Sequence, residues 1–158
     1  MYVTYKEYLS MTGADPDKYS EFAFDRAEYK AERELSRYTT TVDGVDKLKT
    51  AFPTDAFDAE AVRRCICELT NLILEIEASE AAQQISSDAP HGPVSSVSSG
   101  SESISYSTGN TALNSAVSDL NARRALFTES VKTYLSGVKD ANGVNLLFTG
   151  VYPCIKTQ

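Results

Sequence analysis

The residues that could carry chemistry are one histidine, three cysteines and a large set of carboxylates. His91 sits in Pro90-His91-Gly92-Pro93, a breaker-rich stretch with no nucleophile spaced to use it. It reads as a solvent-exposed loop residue, not as a catalytic base or a ligand. Cys65 and Cys67 spell Cys-x-Cys. On a helix, residues two apart point about 200° away from each other, and a structural zinc site needs four ligands. Cys65 belongs to an apolar stripe, both thiols read as packing groups, and Cys154 reads as an incidental thiol. The carboxylates are spread along helix surfaces, and Glu75, Glu77 and Glu80 read as a solvated face. Nothing singles out an acid–base pair. The chain has no Gly-rich phosphate loop, no Gly-x-Ser-x-Gly elbow and no His-Glu-x-x-His. No catalytic, cofactor-binding or metal-binding residue is therefore predicted, and the chain is not expected to be an enzyme or to need a cofactor.

The 158 residues fit one domain of ordinary size, spanning 1–158. With 42% apolar and 23% charged residues, the composition is that of a folded globular chain, not a disordered one. The net charge of -7 argues against gripping nucleic acid, because that affinity comes from basic groups that displace counterions. No window approaches the roughly 18 consecutive apolar residues of a membrane span. The first residues, Met1 to Tyr8, lack the basic and apolar regions of a secretory signal. Three cysteines make no even disulfide framework, as expected of a chain made in a reducing cytoplasm.

The elements follow from periodicity and punctuation. A short helix is predicted over Thr4 to Met11, stopping at Gly13. Asp15-Pro16-Asp17 offers an N-cap and a first-turn proline for a helix running to Tyr38. Its stripe is Phe24, Ala27, Ala31, Leu35 and Tyr38, with Lys30 and Glu34 paired on the wet side. After Thr39 to Gly44 comes a short helical piece at Val45 to Thr50. The strongest helix starts after Pro53 with Thr54 or Asp55 as N-cap and reaches about Ile85. Val62, Cys65, Ile66, Leu69, Leu72, Ile73 and Ile76 form its stripe, and Glu60, Arg64 and Glu68 a charged ladder. A third long helix is predicted over Thr111 to Ser136, closed by Gly137. Leu113, Val117, Leu120, Phe127, Val131 and Tyr134 make its stripe, interrupted at Arg124. Leu146 to Tyr152 reads as a short apolar strand after the turn Asp140-Ala141-Asn142-Gly143. No internal repeat is found. Tyr2, Tyr5 and Tyr8 step by three along the first helix, an edge expected to pack on the body of the domain.

Between the second and third long helices, the flexible loop at about 86–109 carries a serine-rich segment. Val94 to Gly100 reads as slack linker. In Ser101 to Tyr106, Ile104 and Tyr106 alternate with serines at the period of a strand with one apolar face. The expected fold is mainly α: a helical bundle of three long helices plus short helices, with a small β element made of the serine-rich arm and the C-terminal strand.

The order of these pieces carries a resemblance. Tyr5-Lys6-Glu7-Tyr8-Leu9 is followed by Phe24-Asp25-Arg26, by Tyr29 to Leu35 and by Arg37-Tyr38-Thr39. Then come Val62-Arg63-Arg64-Cys65-Ile66-Cys67-Glu68-Leu69, Ser101-Glu102-Ser103-Ile104-Ser105-Tyr106, Tyr134-Leu135-Ser136 and Leu147-Phe148-Thr149-Gly150-Val151. The set resembles, over nearly the whole length, the head–tail connector (adaptor) proteins of long-tailed bacteriophages of Gram-positive hosts. The family's last strand usually reads Leu-Tyr-Arg-Gly-Val, where this chain has Phe148-Thr149 and so lacks the cation.

The resemblance implies a structural virion protein at the head–tail interface, assembled in the host cytoplasm. Its partners would be copies of itself in an oligomeric ring (commonly twelvefold), the portal protein, and a stopper or tail-completion protein. DNA would pass through the ring without specific binding, and no membrane would be involved. A ring needs heterologous contacts, and an extended segment given to a neighbour's edge supplies one. The expected subunit or portal contacts are Ser101, Glu102, Ser103, Ile104, Ser105, Tyr106, Leu147, Phe148, Gly150 and Val151. The alternative is a small helical regulatory or adaptor protein binding a single protein partner.

Overall fold

The structure, a computed structural model, describes residues 1–87, 96–99, 102–105 and 111–153. It is mainly helical: α1 (Tyr5–Thr12), α2 (Glu21–Thr39), α3 (Lys47–Thr50), α4 (Ala56–Ser87), α5 (Thr111–Ser118) and α6 (Leu120–Leu135), with strands β1 (Ser96–Ser99) and β2 (Glu102–Ser105) between α4 and α5. The long helices α2 and α6 both pack against α4, as do α1 and α5. Being surrounded explains α4. Its 32 residues span about 48 Å, and burial is not confined to one stripe: Cys67, Thr70 and Leu74 are buried along with Val62, Cys65, Ile66, Leu69, Ile73 and Ile76. The sequence placed Cys67 on the face opposite Cys65. Both faces are interior, because different helices cover them.

Local chemistry sets most helix ends. Thr4 and Glu7 form a capping box at the start of α1, with the Thr4 amide donating to Glu7 (2.8 Å) and the Glu7 amide donating to Thr4 Oγ1 (3.3 Å). Gly13 stops that helix in the left-handed region at φ 65°. Asp55 caps α4, accepting from the amides of Phe57 and Asp58. Asp15-Pro16-Asp17, by contrast, does not start α2. The Asp15 side chain closes a single turn by accepting from the Asp17 amide, and α2 begins at Glu21 with Ser20 as its cap. The Tyr5 hydroxyl holds that turn out of the helix by donating to the carbonyls of Tyr19 and Pro16.

The predicted third helix is broken into α5 and α6 at Asp119, an extended residue that caps α6 through the Asn121 amide (2.8 Å). The break turns Leu120 outward, 66% exposed, while Phe127 and Val131 stay in the core with Leu135. Arg123 spans it: Nε donates to the Ala116 carbonyl (2.9 Å), Nη2 to the Val117 carbonyl (3.2 Å), and the guanidinium pairs with Glu80. Orphan carbonyls at the end of α5 are thereby satisfied.

The N-terminal tyrosines pack as the sequence suggested. Tyr8 is buried against Phe24 and Tyr5, and Tyr2 stacks on Phe52 with ring centroids 5.2 Å apart. The glutamates of α4 do not form a free face. Glu77 pairs with Arg26 and Lys30 of α2, Glu80 with Arg123 of α6, and Glu75 lies 3.8 Å from Lys18. Lys30 therefore reaches across to Glu77, and Glu34 pairs with Arg37 instead.

Two turns share one geometry, although no sequence repeat is evident. In 41–45 and 140–144 the first amide donates to the fifth carbonyl, Thr41 to Val45 (3.0 Å) and Asp140 to Val144 (2.8 Å). The fourth residue is a glycine with positive φ, Gly44 at 83° and Gly143 at 78°. The first side chain accepts from the fifth amide, and Asp46 or Asn145 then caps two residues ahead. The turns also bind each other's flanks: the Val42 amide donates to the Thr149 carbonyl and the Ala141 amide to the Ala51 carbonyl, each at 3.0 Å.

Candidate interaction surfaces

Two regions hold the residues expected to make contacts. The first is the serine-rich segment. Glu102, Ser103, Ile104 and Ser105 form β2, while Ser101 and Tyr106 lie outside the described residues, as does His91. β2 pairs antiparallel with β1 in the same chain, in the register Val97↔Ile104 and Ser98↔Ser103. Ser96 to Ser99, expected to be slack linker, are thus half of a hairpin. Composition concealed this, because main-chain hydrogen bonds in a two-stranded ladder need no apolar side chains. Val97 and Ile104 occupy one cross-strand pair, with serines at the flanking pairs Ser96↔Ser105 and Ser98↔Ser103.

The second region is the C-terminal segment. Leu146 is buried, Leu147 and Gly150 are half-buried, and Phe148 and Val151 are exposed, at 44% and 68%. The segment is not a strand. Asn145 turns the chain by accepting from the Leu147 amide through its side chain (2.8 Å) and from the Phe148 amide through its carbonyl (3.0 Å). Those amides are unavailable to a ladder, so the expected C-terminal strand becomes an anchored turn. Gly150 lets the Phe148 ring fold back over the backbone, where a Cβ would run into it.

Sequence reasoning missed the groups that fasten this segment. Lys47 is fully buried and donates its ammonium to the Phe148 carbonyl. Burial lowers the Lys47 pKa, and nearby Asp140 opposes that shift. Asp140, also buried, accepts from the amides of Asn142 (2.9 Å) and Val144 (2.8 Å) and from the Tyr152 hydroxyl (2.5 Å). Asn142 donates to that same hydroxyl (2.9 Å), and the Tyr152 amide donates to Asp43 (3.2 Å). Only the Asp-x-Asn-Gly turn signature around Asp140 was visible in sequence; a lysine between Asp46 and Leu48 gives no sign that it will be buried.

A cleft of about 730 Å³ forms a third surface, unanticipated, between the N-terminal residues, α2 and α3. Its lining includes Tyr2, Tyr29, Arg33, Arg37 and Lys49, with Glu32 the one carboxylate among them. Below its rim Glu28 is buried, accepting from the Tyr2 amide (3.1 Å), and Glu32 pairs with the Met1 amino group (2.7 Å). Burial pushes Glu28 up to about 7, with the hydrogen bond to Glu32 acting in the same direction.

Burial pushes the Cys65 thiol up to about 12 and Cys67 to about 11, so both are protonated at neutral pH. Among the described residues, no group of three or more His, Cys, Asp or Glu side chains is placed to hold a metal ion. No described helix is long and apolar enough to cross a membrane. Compared with the known protein families, the curated proteins and the solved structures, the chain matches none.

Proposed function

We propose that this chain is a structural virion protein, a head–tail connector that forms a ring between the portal and the tail or stopper of a long-tailed bacteriophage. The ordered motifs from Tyr5 to Val151 support this assignment. The observation that carries it is the β1–β2 hairpin: a two-stranded sheet between helices, with no third strand on it among the described residues. Such a hairpin presents main-chain donors and acceptors along both outer edges, a template for pairing with another chain. The exposed Phe148 and Val151, held on a segment fastened by buried polar groups, add a second contact of the kind interfaces use. The helical bundle is then the rigid body and these two elements its contacts. The -7 charge suits a ring through which DNA slides without sticking.

The experiment is a particle-mass measurement of the protein, alone and with a portal, on wild type and on a variant carrying Ile104→Asp and Tyr106→Asp. Ring-sized particles are expected for the wild type and a folded, unassembled chain for the variant. Unchanged assembly of the variant would sink the hairpin's role, and an assembled ring whose lumen is lined mainly by Arg and Lys would contradict the DNA argument. The second reading is a small helical adaptor that binds a single protein partner. The pairing of β2 with its own chain favours it, since the arm is already satisfied on one side. A wild type that binds one partner in a one-to-one complex and never forms a ring would decide for it.

A further inference from the structure

The cleft between the N-terminal residues, α2 and α3 is cationic in a chain of net charge -7. Arg33, Arg37 and Lys49 stand around it, all exposed. Arg33 lies over the Tyr29 ring, 5.9 Å from its centroid, and pairs with no carboxylate among the described residues. Arg37 and Lys49 each pair with one partly buried carboxylate, Glu34 and Asp46, while their own side chains stay 63% and 71% exposed. Tyr29, 57% exposed, gives the cleft an aromatic wall. Tyrosine and arginine are, with tryptophan, the side chains enriched among those that carry binding energy where proteins meet.

The same chain carries a complementary element. Phe57, in the first turn of α4, is the most exposed large apolar side chain among the described residues, at 84%. It is flanked by exposed Asp55, the cap of α4, and by exposed Glu60, which pairs with Arg64 in an i,i+4 surface pair weak enough to be exchanged, and it does not line the chain's own cleft. An aromatic knob with acidic flanks matches an aromatic cleft with cationic flanks in side-chain type and in sign of charge, and opposite charges steer such surfaces together. We propose that the first turn of α4 of one copy docks through Phe57, Asp55 and Glu60 into the Tyr29–Arg33–Arg37–Lys49 cleft of a second copy. The contact is heterologous: each copy gives one surface and receives the other, so it propagates around a ring or along a chain. It specifies a subunit contact for the ring reading and rests on that reading only for closure into a ring.

Carbodiimide coupling of a mixture of isotopically labelled and unlabelled protein, followed by peptide mapping, tests the contact directly. The expected product is an intermolecular amide between Lys49 and Glu60 or Asp55; its absence at millimolar concentration overturns the proposal. Two surface variants supply the second measurement. Arg33→Glu with Arg37→Glu removes the cleft's charge, and Phe57→Ala with Glu60→Arg removes the knob; each should weaken self-association at least tenfold. Mixed together, they should form dimers and nothing larger, because each retains only one working surface. If the cleft variant fails to associate while the knob variant behaves as wild type, another surface of this chain fills the cleft and the proposal falls. Assembly that ignores both variants overturns the contact and leaves the ring reading standing. A wild type that couples Lys49 to Glu60 yet forms open chains without closing keeps the contact and counts against the ring.

Discussion

The ammonium of Lys47 donates to the backbone carbonyl of Phe148, a residue 101 positions away, and so ties the start of α3 to the C-terminal segment. Lys47 is fully buried while the Phe148 ring is 44% exposed. A cation taken out of water thus holds from beneath a segment that faces outward. Lys47→Met keeps the aliphatic stem and removes the donor. It should cost about 1–3 kcal/mol and release amide-exchange protection at 148–152. A variant of wild-type stability with those amides still protected would show that the hydrogen bond is not what holds the segment.

The carboxyl of Asp140 serves three donors and the Tyr152 hydroxyl serves only one acceptor and one donor. Asp140→Ala should therefore cost more than Tyr152→Phe, about 2–3 against about 0.5–1.5 kcal/mol. Urea unfolding of the two variants checks the order. Equal losses would mean that the turn's backbone closes without the Asp140 side chain.

Gly44 and Gly143 occupy the same place in two turns of the same geometry, with φ of 83° and 78° and no atom within 4 Å of an added Cβ. The cost of alanine at either position is then conformational alone. Gly44→Ala and Gly143→Ala should each lose about 1–2 kcal/mol, and by similar amounts. Thermal or urea unfolding giving widely different losses would show that the two turns are not energetically equivalent.

Buried Glu28, raised from 4.5 to about 7, makes stability depend on pH. Between these values the folded chain holds a proton that the unfolded chain releases. Stability is therefore greatest below about 4.5 as far as this group is concerned, and falls as pH rises toward 7. Glu28→Gln removes the cost of the buried charge while keeping an acceptor for the Tyr2 amide. The variant should exceed wild type by about 1–3 kcal/mol at pH 8 and lose that advantage at pH 5. Denaturant melts at both pH values measure it, and an advantage that does not change with pH would assign the effect to packing.

Arg123 connects the end of α5 to Glu80 across the break at Asp119. Arg123→Met should lose about 1–2 kcal/mol, and amide exchange should quicken in α5 before α6. Exchange that quickens evenly through both helices would mean the break is held by other contacts.

Much of this architecture was legible because it is local. The stop at Gly13, the Asp55 cap and the 3–4 stripes of α2 and α4 each depend on residues within a few positions. Short-range sterics and helical period act on them whatever the rest of the chain does. Of the expected contact residues, Glu102 to Ser105 are in a strand, as their alternation suggested, whereas Leu147 to Val151 are not. The first segment alternates apolar and polar residues and the second opens on an apolar run; the second is kept from a ladder because Asn145 and Lys47 consume its backbone groups.

The sequence alone determined that this chain is mainly helical and which residues form the buried stripes of α2 and α4, because propensity and periodicity are properties of neighbours along the chain. Tertiary structure alone decided that Cys67 is interior, that Glu77 and Glu80 pair across helices, that α5 and α6 part at Asp119, and that Lys47 is buried beneath Phe148. In each case the partner is distant in sequence. Burial and pairing are set by what packs alongside, and no window along the chain contains both partners.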